Sequence, residues 1–268
     1  MFDDDAERPP TSLRGRIADV YYPALLGDGE DALGVRLGAR ATVYNPLTGA
    51  ATELAPIRAQ LRAVATWLGD HFATYAHAST LVGVDRDVSE GVLGLRKDER
   101  HVELPVAVVA ERRKAREIDV RVYHATRRLG VWQAARTARP RADREQGIAP
   151  DVAEHLAALR LGDPDAVVAG FEADGALRDG SGAAHTRASG KLREYYVRLL
   201  QSARGGNDWV PIVQSCADDG RTCAIEYETE KLRGEESAPK EGLIVFERGD
   251  NRLFRSVRVY DEVGFDDA

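Results

Sequence analysis

Cysteine is scarce. The chain has 268 residues but only two cysteines, Cys216 and Cys223, and a single methionine. Two thiols cannot build the multi-bridge framework of a small secreted scaffold. His71, His77, His101 and His124 stand at no metal-ligand spacing, and no Cys/His cluster exists. No apolar run approaches the ~20 residues of a membrane span. Positive charge is short too: the formal net charge is -7, against the basic footprint that nucleic acid requires. The acidic start, MFDDDAERPPT, has no apolar segment of a secretory signal, so a cytoplasmic protein is expected. No Gly-rich phosphate loop opens a long helix, and no Gly-x-Ser-x-Gly elbow occurs. Neither nucleotide, metal nor other cofactor is therefore expected.

What is present is enough to fold. Hydrophobic residues make up 43% and charged residues 30%, and the length suits two domains. Residues 1–12 carry Pro9-Pro10 and an acid cluster and read as a mobile tail. Apolar residues at Ile17, Val20, Tyr21, Ala24 and Leu25 recur at helical spacing. Gly27-Asp28-Gly29 breaks that helix, and Asp31 is the expected cap of a short second one. Ala41 to Tyr44 reads as a strand ending at Asn45-Pro46. Pro56 to Leu68 is a third helix with Pro56 in its first turn. Four strand candidates follow: 74–84, 88–95, 101–111 and 118–124. Three helices and then a meander predict an α+β domain. Residues 133–150, charged and without periodicity, read as a linker.

The same order then recurs. Helices are expected at 151–161, from Asp163-Pro164, and at 192–200. Strands are expected at 175–178, 209–216, 222–229, 242–247 and 253–260. Gly27-Asp28 matches Gly162-Asp163, and Asn45 matches Asp179. Arg121-Val122-Tyr123-His124 matches Arg258-Val259-Tyr260-Asp261. The near-constant offset marks a tandem duplication of 13–132 and 151–268.

The segments GDPDAVVAGFEADGALRDG and GDGEDALGVRLGARATVYNPLTG, with the closing strands VFERGDNRLFRSVRVYDEV and AERRKAREIDVRVYHA, resemble the SnoaL-like and ketosteroid-isomerase-like branch of the NTF2-like superfamily. The resemblance spans nearly the whole chain. It implies two domains, each a curved antiparallel sheet wrapped around three helices to form a conical pocket. It also implies a hydrophobic small-molecule ligand, and domains that commonly dimerise through their outer sheet faces. A tandem chain would make that contact internally, as a pseudo-dimer that is monomeric in solution, with a homodimer as the alternative. The family's general base falls on Asp179 in the second copy and on Asn45 in the first, where an amide is no useful base. The family's oxyanion-holding tyrosine falls near Tyr21 in the first copy and near His155 in the second. Its late-strand acid falls near Leu243. In the epoxide-opening variant the second carboxylate falls near Asp208. Phe171, Tyr195 and Trp209 are candidate pocket-lining residues with Tyr21 and Asn45; Tyr195, Tyr196 and Trp209 serve equally as core.

Asp179 precedes Gly180-Ser181-Gly182 and reads either as a base or as a turn residue bonding its own backbone. Asp219-Gly220 signals a two-residue hairpin loop, which would set Cys216 opposite Cys223, either as a disulfide or as a reduced buried pair. Glu226, Glu228 and Glu230 read as a solvated or interdomain sheet face. Two functions stay open. One is a cofactor-free acid–base isomerase, cyclase or epoxide hydrolase for a hydrophobic substrate, plausibly in secondary metabolism, with Asp179 as base and His155 or Asp208 as partner. The other is a binding or structural protein without turnover.

Overall fold

The computed structural model describes residues 15–97, 100–113, 117–125, 129, 147–204, 211–229 and 241–261. The expected tail, most of the linker, Asp208, Trp209 and Glu230 lie outside them.

The first half runs α1 (Ile17–Leu26), α2 (Glu30–Leu37), β1 (Ala41–Asn45), β2 (Gly49–Thr52), α3 (Leu54–Asp70), β3 (Thr74–Val82), β4 (Arg86–Lys97), β5 (Arg100–Arg112) and β6 (Ile118–Tyr123). The second runs α4 (Pro150–Leu161), α5 (Pro164–Ala169), β7 (Phe171–Arg178), β8 (Ala184–Thr186), α6 (Lys191–Arg204), β9 (Pro211–Asp218), β10 (Thr222–Thr229), β11 (Glu241–Arg248) and β12 (Phe254–Tyr260). Each half folds as one six-stranded sheet with its helices on one face. The orders, β2-β1-β6-β5-β4-β3 and β8-β7-β12-β11-β10-β9, are the same. Each sheet is antiparallel except for one parallel pair, β1 with β6 and β7 with β12. Tyr44 pairs with Arg121, and Arg178 pairs with Arg258. Asn45 and Asp179, one residue further on, are therefore equivalent in space as well as in sequence. The strand before the central meander is bulged in both halves, around Ala78 in β3 and Gln214 in β9. An extra residue bends and twists a strand, which curves a sheet round its helices.

Local chemistry explains the helix ends. Asp163 caps α5 by accepting from Asp165 N and Ala166 N, both at 3.0 Å, with Pro164 at the first position. Gly162, at φ 69°, closes α4 in the left-handed region that glycine tolerates. α4 opens at Pro150, where the linker was expected to end. α1 continues through Pro23 to Leu26. Asp31 is not a cap: α2 starts at Glu30 behind Gly29, and Asp31 forms an exposed pair with Arg62 instead. The short strands β2 and β8 carry too few apolar residues to show a period.

The Cys hairpin differs from the expected register. Asp218 pairs with Cys223 and Cys216 with Ile225, so the loop has four residues rather than two. Asp218 Oδ1 accepts from Gly220 N, and Asp219 Oδ1 accepts from Arg221 N and Thr222 N. These side-chain bonds stabilise a wider turn than the Asp-Gly pair alone implies. The cysteines become diagonal neighbours with free thiols, their sulfurs 3.5 Å apart.

Both sheet faces are buried at the meander. In β5, Val106, Val108 and Ala110 join the helix-side core, while Ala107 and Val109 point the other way. In β11, Ile244 and Phe246 face the helices, and Leu243 and Val245 face outward. The outward residues of the two halves form one shared cluster, with Leu81, Val88, Tyr123, Ala217, Ala224 and Tyr260. The halves therefore pack back to back through their sheets. Two reciprocal ion pairs cross this contact. Arg121 grips Glu226 through Nε and Nη2, at 2.6 and 2.7 Å, and Tyr123 donates to Glu226 at 2.5 Å. In the mirrored arrangement Arg258 grips Glu90 at 2.7 and 3.0 Å, and Tyr260 donates to it at 2.7 Å. Ser79 and Ser215 each donate from within the same half to Glu90 and Glu226. Of the acidic positions on β10, Glu226 thus lies at the contact between the halves, whereas Glu228 accepts from Gln214 within its own half; the sheet-to-sheet contact is made inside a single chain.

Candidate active site

The second half carries the richer set of polar groups. β7 ends at Arg178, and β8 returns antiparallel with Leu177 opposite His185. Asp179 stands at the start of the connecting turn. Its Oδ1 accepts from Ser181 N (2.9 Å), Ser181 Oγ (2.6 Å) and Ala183 N (3.1 Å). The other oxygen, Oδ2, lies 2.9 Å from Nε2 of His185. Asp179 is therefore a turn residue and half of a carboxylate–imidazole pair at once. Both side chains are largely buried, with 14% and 13% exposure. The His185 ring lies against Tyr195, centroids 4.6 Å apart.

The same turn packs on the end of the last strand. A Cβ at Gly180 would lie 2.3 Å from the carbonyl oxygen of Asp261, so only glycine permits the approach. Asp261 is buried, and Tyr227 donates its hydroxyl to Asp261 Oδ2. Asp261 lines a cavity with His155, Leu159, Tyr195, Tyr196 and Leu199. The cavity's free volume is about 10 Å³, room for about one water. Burial pushes the Tyr195 and Tyr227 hydroxyls well above their usual range, and the negative charge of Asp261 adds to it. Both phenols are therefore protonated donors at neutral pH.

His155 occupies an aromatic box on α4. Phe171, Tyr196, Phe246 and Phe254 surround its ring edge-on at 5.4 to 5.9 Å. Its Nε2 is 3.5 Å from the Tyr196 hydroxyl, and its buried Nδ1 has no hydrogen-bond partner among the described residues. Burial lowers its pKa to about 3, so the ring is neutral. The imidazole that meets Asp179 is His185, not His155. Phe171 is a wall of the His155 box, and Tyr195 lies between the Asp179–His185 pair and the cavity.

The first half has a different set at equivalent places. Asn45 Nδ2 donates to the Tyr21 hydroxyl at 3.3 Å, and Asn45 Oδ1 accepts from Leu47 N at 2.9 Å. Both side chains are buried. Burial raises the Tyr21 pKa to about 12, with the Asn45 bond opposing the rise. Leu243, the position expected for a late-strand acid, faces the other half and not the helices. The buried acid that lines the helix-side cavity of the second half is Asp261. Sequence comparison paired Asp261 with His124 but assigned it no role, because nothing in one strand end shows which way it faces. His185 carried no sequence signal, because β8, the strand that returns it to Asp179, has only three residues. Among the described residues no group of three or more His, Cys, Asp or Glu side chains is arranged to hold a metal ion. No described helix is long and apolar enough to cross a membrane.

No family model matches the chain, and no curated protein matches it. Solved structures similar to part of it include a SnoaL-like protein of unknown function from Burkholderia thailandensis, 14% identical, covering 41% of this chain and 90% of its own at a TM-score of 0.33. An epoxide hydrolase/cyclase-like enzyme of pyran-ring formation in the polyether salinomycin is 19% identical, covering 42% of this chain and 88% of its own, TM-score 0.34. A putative polyketide cyclase from Xanthomonas campestris is 20% identical, covering 41% and 86%, TM-score 0.30. Each spans about the length of one half.

Proposed function

We propose that the chain holds one acid–base site, in its second half, acting without a cofactor on a small hydrophobic molecule. Isomerisation, cyclisation and epoxide opening are reactions of this class. The observation that carries this reading is the 2.9 Å contact between Asp179 and His185 beside a cavity that contains a buried carboxylate. A carboxylate holding one imidazole nitrogen orients the ring. His185 then takes or returns a proton at its other nitrogen, and the Asp179 carboxylate acts through it. Tyr195, held protonated at the cavity wall, is a donor suited to an oxygen on which negative charge develops, and Tyr227 spends its hydroxyl proton on Asp261. The first half, with Asn45 and Tyr21 in place of a carboxylate and a titratable partner, supplies the scaffold.

Solvent deuterium wash-in at the α-carbon of small enolisable ketones, and opening of small apolar epoxides, test the reading on the full chain. His185→Gln and Asp179→Asn should each slow turnover by about 10²–10⁴-fold. Asn45→Asp should leave it unchanged. Equal rates for the wild type and Asp179→Asn would overturn the proposal. One observation favours a second reading, a structural protein without turnover whose pocket is filled by its own side chains: the cavity of about 10 Å³ is far below the ~300–1,000 Å³ of ligand pockets. Absence of both turnover and calorimetric binding of the same ketones or epoxides, in the wild type and in Asp179→Asn alike, would select that reading.

A further inference from the structure

The two cysteines have no part in the acid–base site, yet they meet. Cys216 on β9 and Cys223 on β10 point to the same side of the sheet as diagonal cross-strand neighbours, with sulfurs 3.5 Å apart. A disulfide needs about 2.05 Å, so closure asks for roughly 1.5 Å; diagonal neighbours stand at about the upper limit of disulfide reach, so side-chain rotation is joined by a small approach of the two strands beside their hairpin turn. The two differ in access. Cys223 is fully buried in the helix-side core, and Cys216 is half-buried. They also differ in environment. Arg86 donates to the Cys216 carbonyl at 2.8 Å, and Arg248 sits on the neighbouring Asp218 at 2.8 and 2.9 Å.

We propose that Cys216 and Cys223 form a peroxide-oxidisable dithiol that converts reversibly to an intrachain disulfide. Cys216 is the attacking thiol. The bond from the Cys223 thiol lowers its pKa most, burial and Asp218 oppose this, and the charges of Arg86 and Arg248 support it. The thiolate attacks one peroxide oxygen. The O–O bond breaks, the other oxygen leaves as hydroxide or alkoxide, and Cys216 becomes a sulfenic acid. The sulfur of Cys223 then attacks the Cys216 sulfur. The S–O bond breaks, the departing hydroxide takes the Cys223 proton and leaves as water, and the S–S bond forms. The two thiols lose two electrons, and one peroxide is reduced. A dithiol such as dithiothreitol reverses the change by thiol–disulfide exchange.

The test uses the reduced full-length chain and stoichiometric hydrogen peroxide, with thiol counting under denaturing conditions and intact mass measurement. Titratable thiols should fall from two to none, the mass should drop by two hydrogens, and the chain should remain uncross-linked. Dithiothreitol should restore both thiols. Cys223→Ser should stop at a sulfenic acid on Cys216 that dimedone traps. Cys216→Ser should be inert, because the remaining thiol is buried. Oxygen addition without disulfide in the wild type, cross-linking between chains alone, or Cys216→Ser reacting as fast as the wild type would each overturn the proposal.

Discussion

Arg121→Met should be among the most damaging single changes in this chain, although it lies outside the candidate site. The Arg121 side chain is 1% exposed and that of Glu226 is 3% exposed. The substitution removes two charge-assisted bonds to Glu226 and a third contact, 2.8 Å, to Glu111. It leaves the Glu226 carboxylate in the interface between the sheets with Tyr123, Ser215 and a distant Arg86, 3.7 Å away. Breaking a buried pair by deleting one partner costs about 3–5 kcal/mol, because the surviving charge stays desolvated. Arg86 offsets part of this, so the lower end, about 3 kcal/mol, is expected. Replacing both members, Arg121→Met with Glu226→Leu, removes the stranded charge and should recover about half of the loss. Urea unfolding followed by far-UV circular dichroism measures all three variants. Gel filtration then shows whether the weakened interface opens. A single-variant cost below ~1 kcal/mol, the value of an exposed pair, would refute the reasoning. It would mean that the two sheets do not exclude water in solution.

Acid should weaken the same interface. Burial raises the Glu90 pKa, but the hydrogen bond and charge of Arg258 outweigh it, and the net shift is downward. Glu111 behaves alike, held down by Arg121 and Arg86 against its burial. Their stabilisation is present above the ordinary value of 4.5 and is lost as pH falls below it. His155 adds a second acid-sensitive term over a higher range. Its folded pKa of about 3 lies below the ordinary 6.5, so its contribution is complete above 6.5 and falls away toward 3. The limiting slope is about 1.4 kcal/mol per pH unit, and His155→Leu should flatten the stability profile between those values in pH-dependent thermal unfolding. Gly242→Ala should disturb the candidate site without touching its polar groups. A Cβ there would lie 2.4 Å from the Tyr227 hydroxyl oxygen, so the ring must leave Asp261. A stability cost of about 1–3 kcal/mol by calorimetry is expected, with reduced turnover, and a silent substitution would refute the contact.

Much of the architecture was legible without coordinates. Helical periods, the Asp163-Pro164 start and the recurring offset between Asn45 and Asp179 depend on local spacing, which one strand of text records. The continuous apolar runs at Val106–Ala110 and Leu243–Phe246 likewise carry the mark of a sheet buried on both faces. The hairpin register was not legible. Asp218 and Asp219 bonds to the loop backbone compete with the Asp-Gly turn, and their geometry decides the outcome.

Asp179 shows the division most clearly. The sequence alone determined that the second copy keeps a carboxylate where the first has Asn45, since that is a matter of composition at matched positions. Only the tertiary structure decided its neighbour. His155 lies on the helix that pattern comparison pointed to, but it is enclosed by aromatic rings. His185 reaches Asp179 because β8 folds back beside β7, and Asp261 joins them because Gly180 lets two backbones touch. Which side chains converge depends on strand direction and close approach across the fold, and residue spacing along the chain does not encode either.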